Sequence, residues 1–419
     1  MRTKKILALA LVAVLLISAA PFASATNTPA DSSGRIIISF INGFTGGDGG
    51  FMKKITDGFN ANQDKYFVEE HQETDHYTKF KSGNYDLVLM AGDQLPTYVA
   101  DGMLQPVASL YDAAGISIAD FHPAAGPIVT LNNELYAFPL DIHPFTMLYN
   151  KALVEEPPTN LQELIDLNTK LQAQDPNIYA MAVPGAGLGD WYVLTLALQN
   201  GCNLAVDGQM VYNTDEFAES LLLLNDLIYK YKISPKNLGL DGEFNAFMKQ
   251  ADDNGTLQAA IAMTGPWFYS AAKEKYGDDL GLGQIPVIGK QPGVFGGAHT
   301  IAVPATVKEQ EKFDGIVEFI KYLYTPENLL NWAESGQAPV HLATMEQVWA
   351  NPDKYPLAAA NSKQFDNVTL FPLYAFVEQG QYLRESVYSL VVTTEGLTKE
   401  QLMPELDKAT DFARQILED

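Results

Sequence analysis

Apolar positions along this chain alternate between two spacings. Residues 36–41 and 86–90 are short apolar runs between turn signals and predict buried strands. Between them, Phe51, Ile55 and Phe59 recur every four residues and predict a helix from about 51 to 60. Two further short strands, 136–139 and 146–149, flank a segment kinked by Pro139 and Pro144. Thr159, with Gln162 three positions on, reads as a capping box opening a helix whose inner face is Leu161, Leu164, Ile165 and Leu171. Phe217, Leu221, Leu224 and Ile228 mark another amphipathic helix, with Asp215 and Glu216 suited to its N-terminal dipole. Residues 257–263 predict a strand running into Gly265-Pro266-Trp267-Phe268, and Gly296-Gly297-Ala298-His299 precedes a strand at 300–303. A long helix then buries Phe313, Ile316, Val317, Ile320 and Leu323 and stops before Pro326. Thr398 and Gln401 open a last helix with Leu402, Leu406, Phe412 and Ile416 inward. Strands alternating with helices predict an α/β protein with mostly parallel pairing.

The first 25 residues change the picture from fold to location. Arg2, Lys4 and Lys5 precede an unbroken apolar core at 6–17, and Ala23-Ser24-Ala25 fits a small-residue cleavage site. This is the form of a signal peptide, with Thr26 the expected mature start and a periplasmic or extracellular destination. No cysteine lies near the cleavage point, so no lipoprotein anchor is expected. The single cysteine, Cys202, cannot form an internal disulfide and reads as a small buried filler.

Net charge is -24, which argues against a nucleic-acid partner and against an anionic ligand or membrane face. It favours a neutral or cationic small molecule, or else serves solubility alone. Tyr and Phe number 20 and 21, more than core packing calls for, and suggest a ring-lined cleft. The loop Thr45-Gly46-Gly47-Asp48-Gly49-Gly50 joins a strand to a helix N-terminus. It matches neither a Walker A loop nor a dinucleotide fingerprint, and Asp48 would repel phosphate. It is either a hydroxyl-binding loop or a plain turn using glycine for positive φ. Glu69, Glu70, His71, Asp75 and His76 match no common zinc spacing, and the other histidines are scattered, so no metal and no cofactor are expected. No nucleophile elbow or zinc-protease helix is present, although a glycosidase carboxylate pair could hide among 51 acidic residues. Trp191 and Trp267 follow turn-rich or strand-end loops and are cleft candidates; Trp332, in a helix, has more core partners.

Laid in order, several blocks resemble the extracellular solute-binding proteins of family 1, the sugar-receiving subunits of ABC importers. The blocks are the Thr45–Gly50 loop with Asp57-Gly58-Phe59-Asn60; Tyr85-Asp86-Leu87-Val88 with Gly102-Met103-Leu104-Gln105-Pro106; Leu135-Tyr136-Ala137-Phe138-Pro139 with Leu148-Tyr149-Asn150-Lys151 and residues 158–164; Met263-Thr264-Gly265-Pro266-Trp267; Gly296-Gly297; and Trp332-Ala333-Glu334-Ser335-Gly336 with Pro339-Val340. The resemblance implies a type II periplasmic-binding fold: two α/β lobes, a hinge, and a cleft that closes on a sugar for a membrane permease to read. It places the lobes at 26–141 plus about 298–343 and at 142–297 plus about 344–419, with crossings near 140–146, 288–299 and 342–348. A monomer without enzymatic activity is expected.

A sugar presents apolar C–H faces and a rim of hydroxyls. Asp48, Asp93, Asp141, His143 and His299 are the expected hydrogen-bonding side chains, and Gly297 an expected backbone donor. Trp191 and Trp267, then Phe44 and Trp332, are the expected stacking rings. The competing functions are a receptor for a polyamine or a glycerol-phosphate ester and a secreted glycoside hydrolase. The acidic candidates suit a polyamine; no arginine cluster beside them supports a phosphate ester.

Overall fold

The computed structural model describes residues 29–418. The expected signal peptide and the mature start at Thr26 lie outside the described residues. Among those described, no helix is long and apolar enough to cross a membrane.

Two hydrophobic cores organise the chain. The first draws its buried residues from 38–142 and 298–365, the second from 145–295 and 371–413. The chain changes core between Ile142 and Phe145, between Phe295 and Ala298, and between Phe365 and Phe371. The last passage falls later than the 342–348 expected, because Met345, Val348 and Ala358 still pack on the first core.

In the first core, the strand Ile36–Asn42 pairs in parallel with Tyr66–Gln72 and with Leu87–Ala91. The helix Gly49–Asn62 crosses between them, burying Met52, Ile55 and Phe59. The strand Val294–Ala302 returns from the second core and so enters the sheet in the opposite sense. It pairs antiparallel with Leu87–Ala91 on one side and Ala137–Pro144 on the other. The second core's three-stranded sheet, Ile261–Thr264, Thr146–Asn150 and Leu280–Gly283, is antiparallel throughout. Pairing is therefore mixed rather than mostly parallel: the one strand that brings the chain back to the first core runs against both of these neighbours there, and the second core's three-stranded sheet has no parallel pair.

Local chemistry explains most boundaries. The helix Asp215–Tyr229 buries Phe217, Leu221, Leu224 and Ile228, and Thr214 caps it by accepting from the Phe217 N–H. The helix Leu161–Gln174 starts one residue later than the Thr159–Gln162 reading. Asn160 is the cap, accepting from the Glu163 N–H at 3.0 Å, while Glu163 accepts from Thr159. Asparagine's carbonyl is the better cap acceptor, and the box shifts with it. The helix Gln310–Leu323 ends before Pro326, which opens the next helix, Pro326–Glu334. Cys202 is half-buried rather than enclosed, 3.8 Å from the Ser220 hydroxyl.

Candidate functional site

The strand Ala137–Pro144 carries Asp141 and His143 two residues apart, hence on one face. Antiparallel pairing sets His299 opposite Asp141 and Gly297 opposite His143, with a register shift between His299 and Thr300 that aims the histidine at the carboxylate. Two pairs of positions, Asp141 with His299 and His143 with Gly297, each more than about 150 residues apart in sequence, thus share one patch. Two of the four histidines that are scattered in sequence, His143 and His299, come together here, and the pairing of two distant strands is why the sequence concealed it; His122 and His341 lie elsewhere, against Phe365 and Phe121.

Asp141 is fully buried and accepts from three side chains. His143 Nδ1 lies 2.8 Å away, His299 Nδ1 lies 2.9 Å from the other oxygen, and Trp332 Nε1 donates at 2.7 Å. Burial pushes the Asp141 carboxyl up, but the His299 charge and the two imidazole bonds outweigh it and hold the group below the usual carboxylate range. His299 shows the mirror effect: burial opposes its charge, and Asp141 wins, raising it. His143 is lowered by burial and by the nearby His299 charge. Glycine at 297 is required by space, since a β-carbon there would meet His143 Nε2 at 2.3 Å.

Asp141, His143 and His299 offer three ligand atoms within 4.8 Å of one another, the arrangement a divalent metal would use. Each Nδ1 already faces a carboxylate oxygen at hydrogen-bond distance, so the hydrogen bonds by themselves account for the geometry. The Glu69–His76 stretch does not converge: Glu70 bonds Asn42 and Thr56, and His71 lies 3.4 Å from Glu69.

Aromatic rings continue the cluster into the second core. Phe44 packs at 5.0 Å from His299 and 4.7 Å from Trp332. His143 lies parallel to Trp191, with centroids 6.2 Å apart. Trp191 meets Trp267 edge-on at 5.7 Å and Phe295 at 5.0 Å. Trp191 and Trp267 are half-buried, the first in the opening turn of the helix Gly189–Gln199 rather than in a loop, the second in the short turn Pro266–Phe268. Phe44 and Trp332 differ from expectation: both are buried beneath His299, and the Trp332 N–H is committed to Asp141. Asp141 differs likewise, since three internal donors occupy its oxygens.

The Thr45–Gly50 loop lies where the two cores meet. A β-carbon at Gly47 would touch the Ser270 side chain at 3.2 Å. Gly49 is forced by the Phe44 carbonyl, 2.1 Å from where a β-carbon would stand. None of the loop's glycines has positive φ, so at Gly47 and Gly49 close approach, not handedness, is the constraint, while a β-carbon at Gly50 would meet nothing within 4 Å. Asp48 is buried and accepts from Gln337 Nε2 at 3.2 Å. A second contact between the cores runs from the Ala375 N–H to Thr97 Oγ1 at 2.8 Å.

Asp93 is half-buried, and burial pushes it up to about 6, helped by Asp190 across the cleft and opposed by Arg384. Burial also raises Asp190, whose carboxylate lies 3.9 Å from the Arg384 guanidinium. Sequence reasoning missed Asp190, Arg384, Gln337 and Glu243. Asp190 had a signal, standing between a turn-rich stretch and Trp191. Glu243 is fully buried, accepts from Thr264 Oγ1 at 3.1 Å, and is pushed up to about 7 by burial. An open trough of about 810 Å³ on the outer face of the first core, lined by Lys65, Gln105, Phe313 and Lys321 among others, contains none of these residues.

Two α/β bodies joined by three passages, with polar side chains and rings converging at their junction, define a two-lobed binding protein. The chain belongs to the bacterial extracellular solute-binding proteins, whose family profile matches residues 56–357. A maltooligosaccharide ABC transporter solute-binding lipoprotein of Streptococcus pneumoniae is 26% identical over 305 residues, covering 70% of this chain and 68% of the relative. The sn-glycerol-3-phosphate-binding periplasmic protein UgpB of Salmonella typhimurium is 23% identical over 371 residues, 81% of each chain. Among solved structures, the maltose/maltodextrin-binding domain MalE of Bdellovibrio bacteriovorus, bound to maltotriose, superposes with a TM-score of 0.73 at 21% identity, covering 92% of this chain and 100% of that one.

Proposed function

We propose that this protein is the extracytoplasmic receptor of an ABC importer, capturing a sugar or oligosaccharide between its lobes and presenting the closed form to the membrane permease. The observation that carries this reading is the juxtaposition of two imidazoles, both oriented by Asp141, with the rings of Trp191 and Trp267. Holding each Nδ1 on a carboxylate leaves Nε2 as the group that can meet a hydroxyl. Rings beside them suit the apolar face of a pyranose. In this reading His143, His299, Asp48 and Asp93 hydrogen-bond the ligand, and Trp191 and Trp267 stack on it. Asp141, Trp332 and Phe44 position the histidines, and Gly297 gives His143 room. One lobe comprises residues 29–142 and about 298–365, the other about 145–295 and 371–418. The sugar-binding relatives support the ligand class, and the family's extracellular character supports export by the N-terminal signal.

A phosphate ester, as bound by UgpB, is disfavoured because Arg384 is already beside Asp190. Thermal shift with maltotriose, putrescine and sn-glycerol-3-phosphate separates these readings, because a ligand of the native state raises the melting temperature. The expected result is a rise with maltotriose alone, with the sugar recovered unchanged after incubation. A rise only with putrescine or the ester would sink the sugar reading.

A further inference from the structure

Gln337 is enclosed in the passage that follows the Trp332 helix, two residues before Pro339, which bridges to Asp141. Its Nε2 donates to Asp48 Oδ2 at 3.2 Å. Its Oε1 is buried and receives no hydrogen bond among the described residues. Turning the amide over would set its oxygen against the Asp48 carboxylate, so Asp48 fixes the orientation that leaves Oε1 unpaired. Asp48 itself caps no backbone N–H with its side chain. Two acceptors therefore stand side by side, at the loop where Gly47 meets Ser270 of the other lobe. A buried acceptor without a donor is costly to the fold, and such costs concentrate where a ligand supplies the missing group.

We propose that Gln337 Oε1 and the Asp48 carboxylate form an acceptor-only subsite for two adjacent hydroxyls of the sugar, making Gln337 a specificity-determining residue. This rests on the sugar reading above. Asp48 is close enough for its charge to favour the protonated forms of His143 and His299, so the subsite belongs to the same cleft. The histidines orient one part of the ligand; this pair accepts from hydroxyls at another, and a deoxy sugar lacking either hydroxyl would leave an acceptor unpaired.

The test is calorimetry with maltotriose on the full mature protein, Gln337→Met and Gln337→Glu, with the ligand-free melting temperature of each. Gln337→Met removes the unpaired acceptor together with the N–H donated to Asp48, so affinity should fall about tenfold or more, while the ligand-free melting temperature establishes that the variant is folded at the assay temperature. Gln337→Glu should bind weakly at pH 8 and regain affinity relative to wild type as pH falls, because a protonated glutamic acid reproduces the amide's donor and acceptor. Wild-type affinity in Gln337→Met, or a Gln337→Glu to wild-type affinity ratio that does not change with pH, overturns the subsite and leaves the sugar reading standing. A wild-type protein that binds no maltotriose overturns both.

Discussion

The two walls of the cleft are built from different materials. The first lobe's wall centres on two paired strands, joined by Trp332 from a helix and by Asp48 and Gln337 from loops, and its polar groups are tied to one another: Asp141 holds two imidazoles and an indole, and Asp48 holds Gln337. The second lobe's wall stands on helix starts and turns, and it offers half-buried rings, Trp191 and Trp267, in edge contact. Hydrogen bonds demand angles and distances, whereas a ring face tolerates a ligand shifted along it. The first wall is suited to select which hydroxyls are present; the second is suited to accept sugars of differing length.

Asp141→Ala should break this contrast most severely. It strands three N–H groups in a buried place, so unfolding stability should fall by about 3–5 kcal/mol in denaturant titration, and maltotriose binding should vanish. A loss below 1 kcal/mol would mean that the first wall is not a linked unit. The cluster's own pH window follows from the signs of its shifts. His299 is raised, so its stabilisation is complete below 6.5 and fades as pH rises through its folded value. Asp141 is lowered, so its share is present above 3.8 and fades as pH falls toward its folded value.

Behind the second wall, Glu243 provides the opposite case: a carboxyl whose charge burial resists. Its pKa rises from 4.5 to about 7, so the cost of ionising it accrues as pH climbs through that interval. Glu243→Gln should therefore stabilise the protein at pH 8 by about 3 kcal/mol and leave it unchanged at pH 4. Equal effects at both pH values would remove ionisation as the cause.

Much of the scaffold was legible because amphipathic periodicity is local. The inward faces of the Asp215–Tyr229 and Gln310–Leu323 helices came directly from spacing. The first passage, between Ile142 and Phe145, fell inside the kinked segment marked by Pro139 and Pro144. The direction of Val294–Ala302 was not legible, because it depends on where a chain that left the first core some 150 residues earlier re-enters. The Asp-x-His and Gly-x-His spacings at 141–143 and 297–299 placed each pair on one face of a strand. Only the pairing of those strands puts the four together. Trp332 is buried with its N–H on Asp141, a contact its helical spacing does not announce, and Gln337 carries no sequence signal, since an unpaired amide oxygen is a property of three-dimensional surroundings.

Trp267→Ala tests the ring wall. Losing a buried ring contact should weaken maltotriose binding by about 1–3 kcal/mol, roughly fivefold to a hundredfold in Kd, at nearly unchanged melting temperature. Unchanged calorimetric affinity would remove Trp267 from the ligand and leave Trp191 as the stacking ring. A long and a short maltooligosaccharide should lose different amounts, because a tolerant wall contacts each along a different length.

The smallest expected effect lies at the seam between the walls. Asp93 comes from the first, and Asp190 with Arg384 from the second. Burial and Asp190 raise Asp93 from 3.8 to about 6, so bringing Asp190 of the second lobe up to it favours its protonated form and works against its charged form. The sign is that of a raised carboxyl: the benefit of protonation is complete below 3.8 and is lost as pH rises through about 6. Wild-type affinity should then fall a few-fold between pH 5 and pH 7.5, the partial exposure of Asp93 keeping the effect modest. Asp93→Asn should flatten that slope while retaining binding at pH 5. A slope that survives the substitution would move the pH dependence to His299, whose raised value works in the same direction but from the first wall alone.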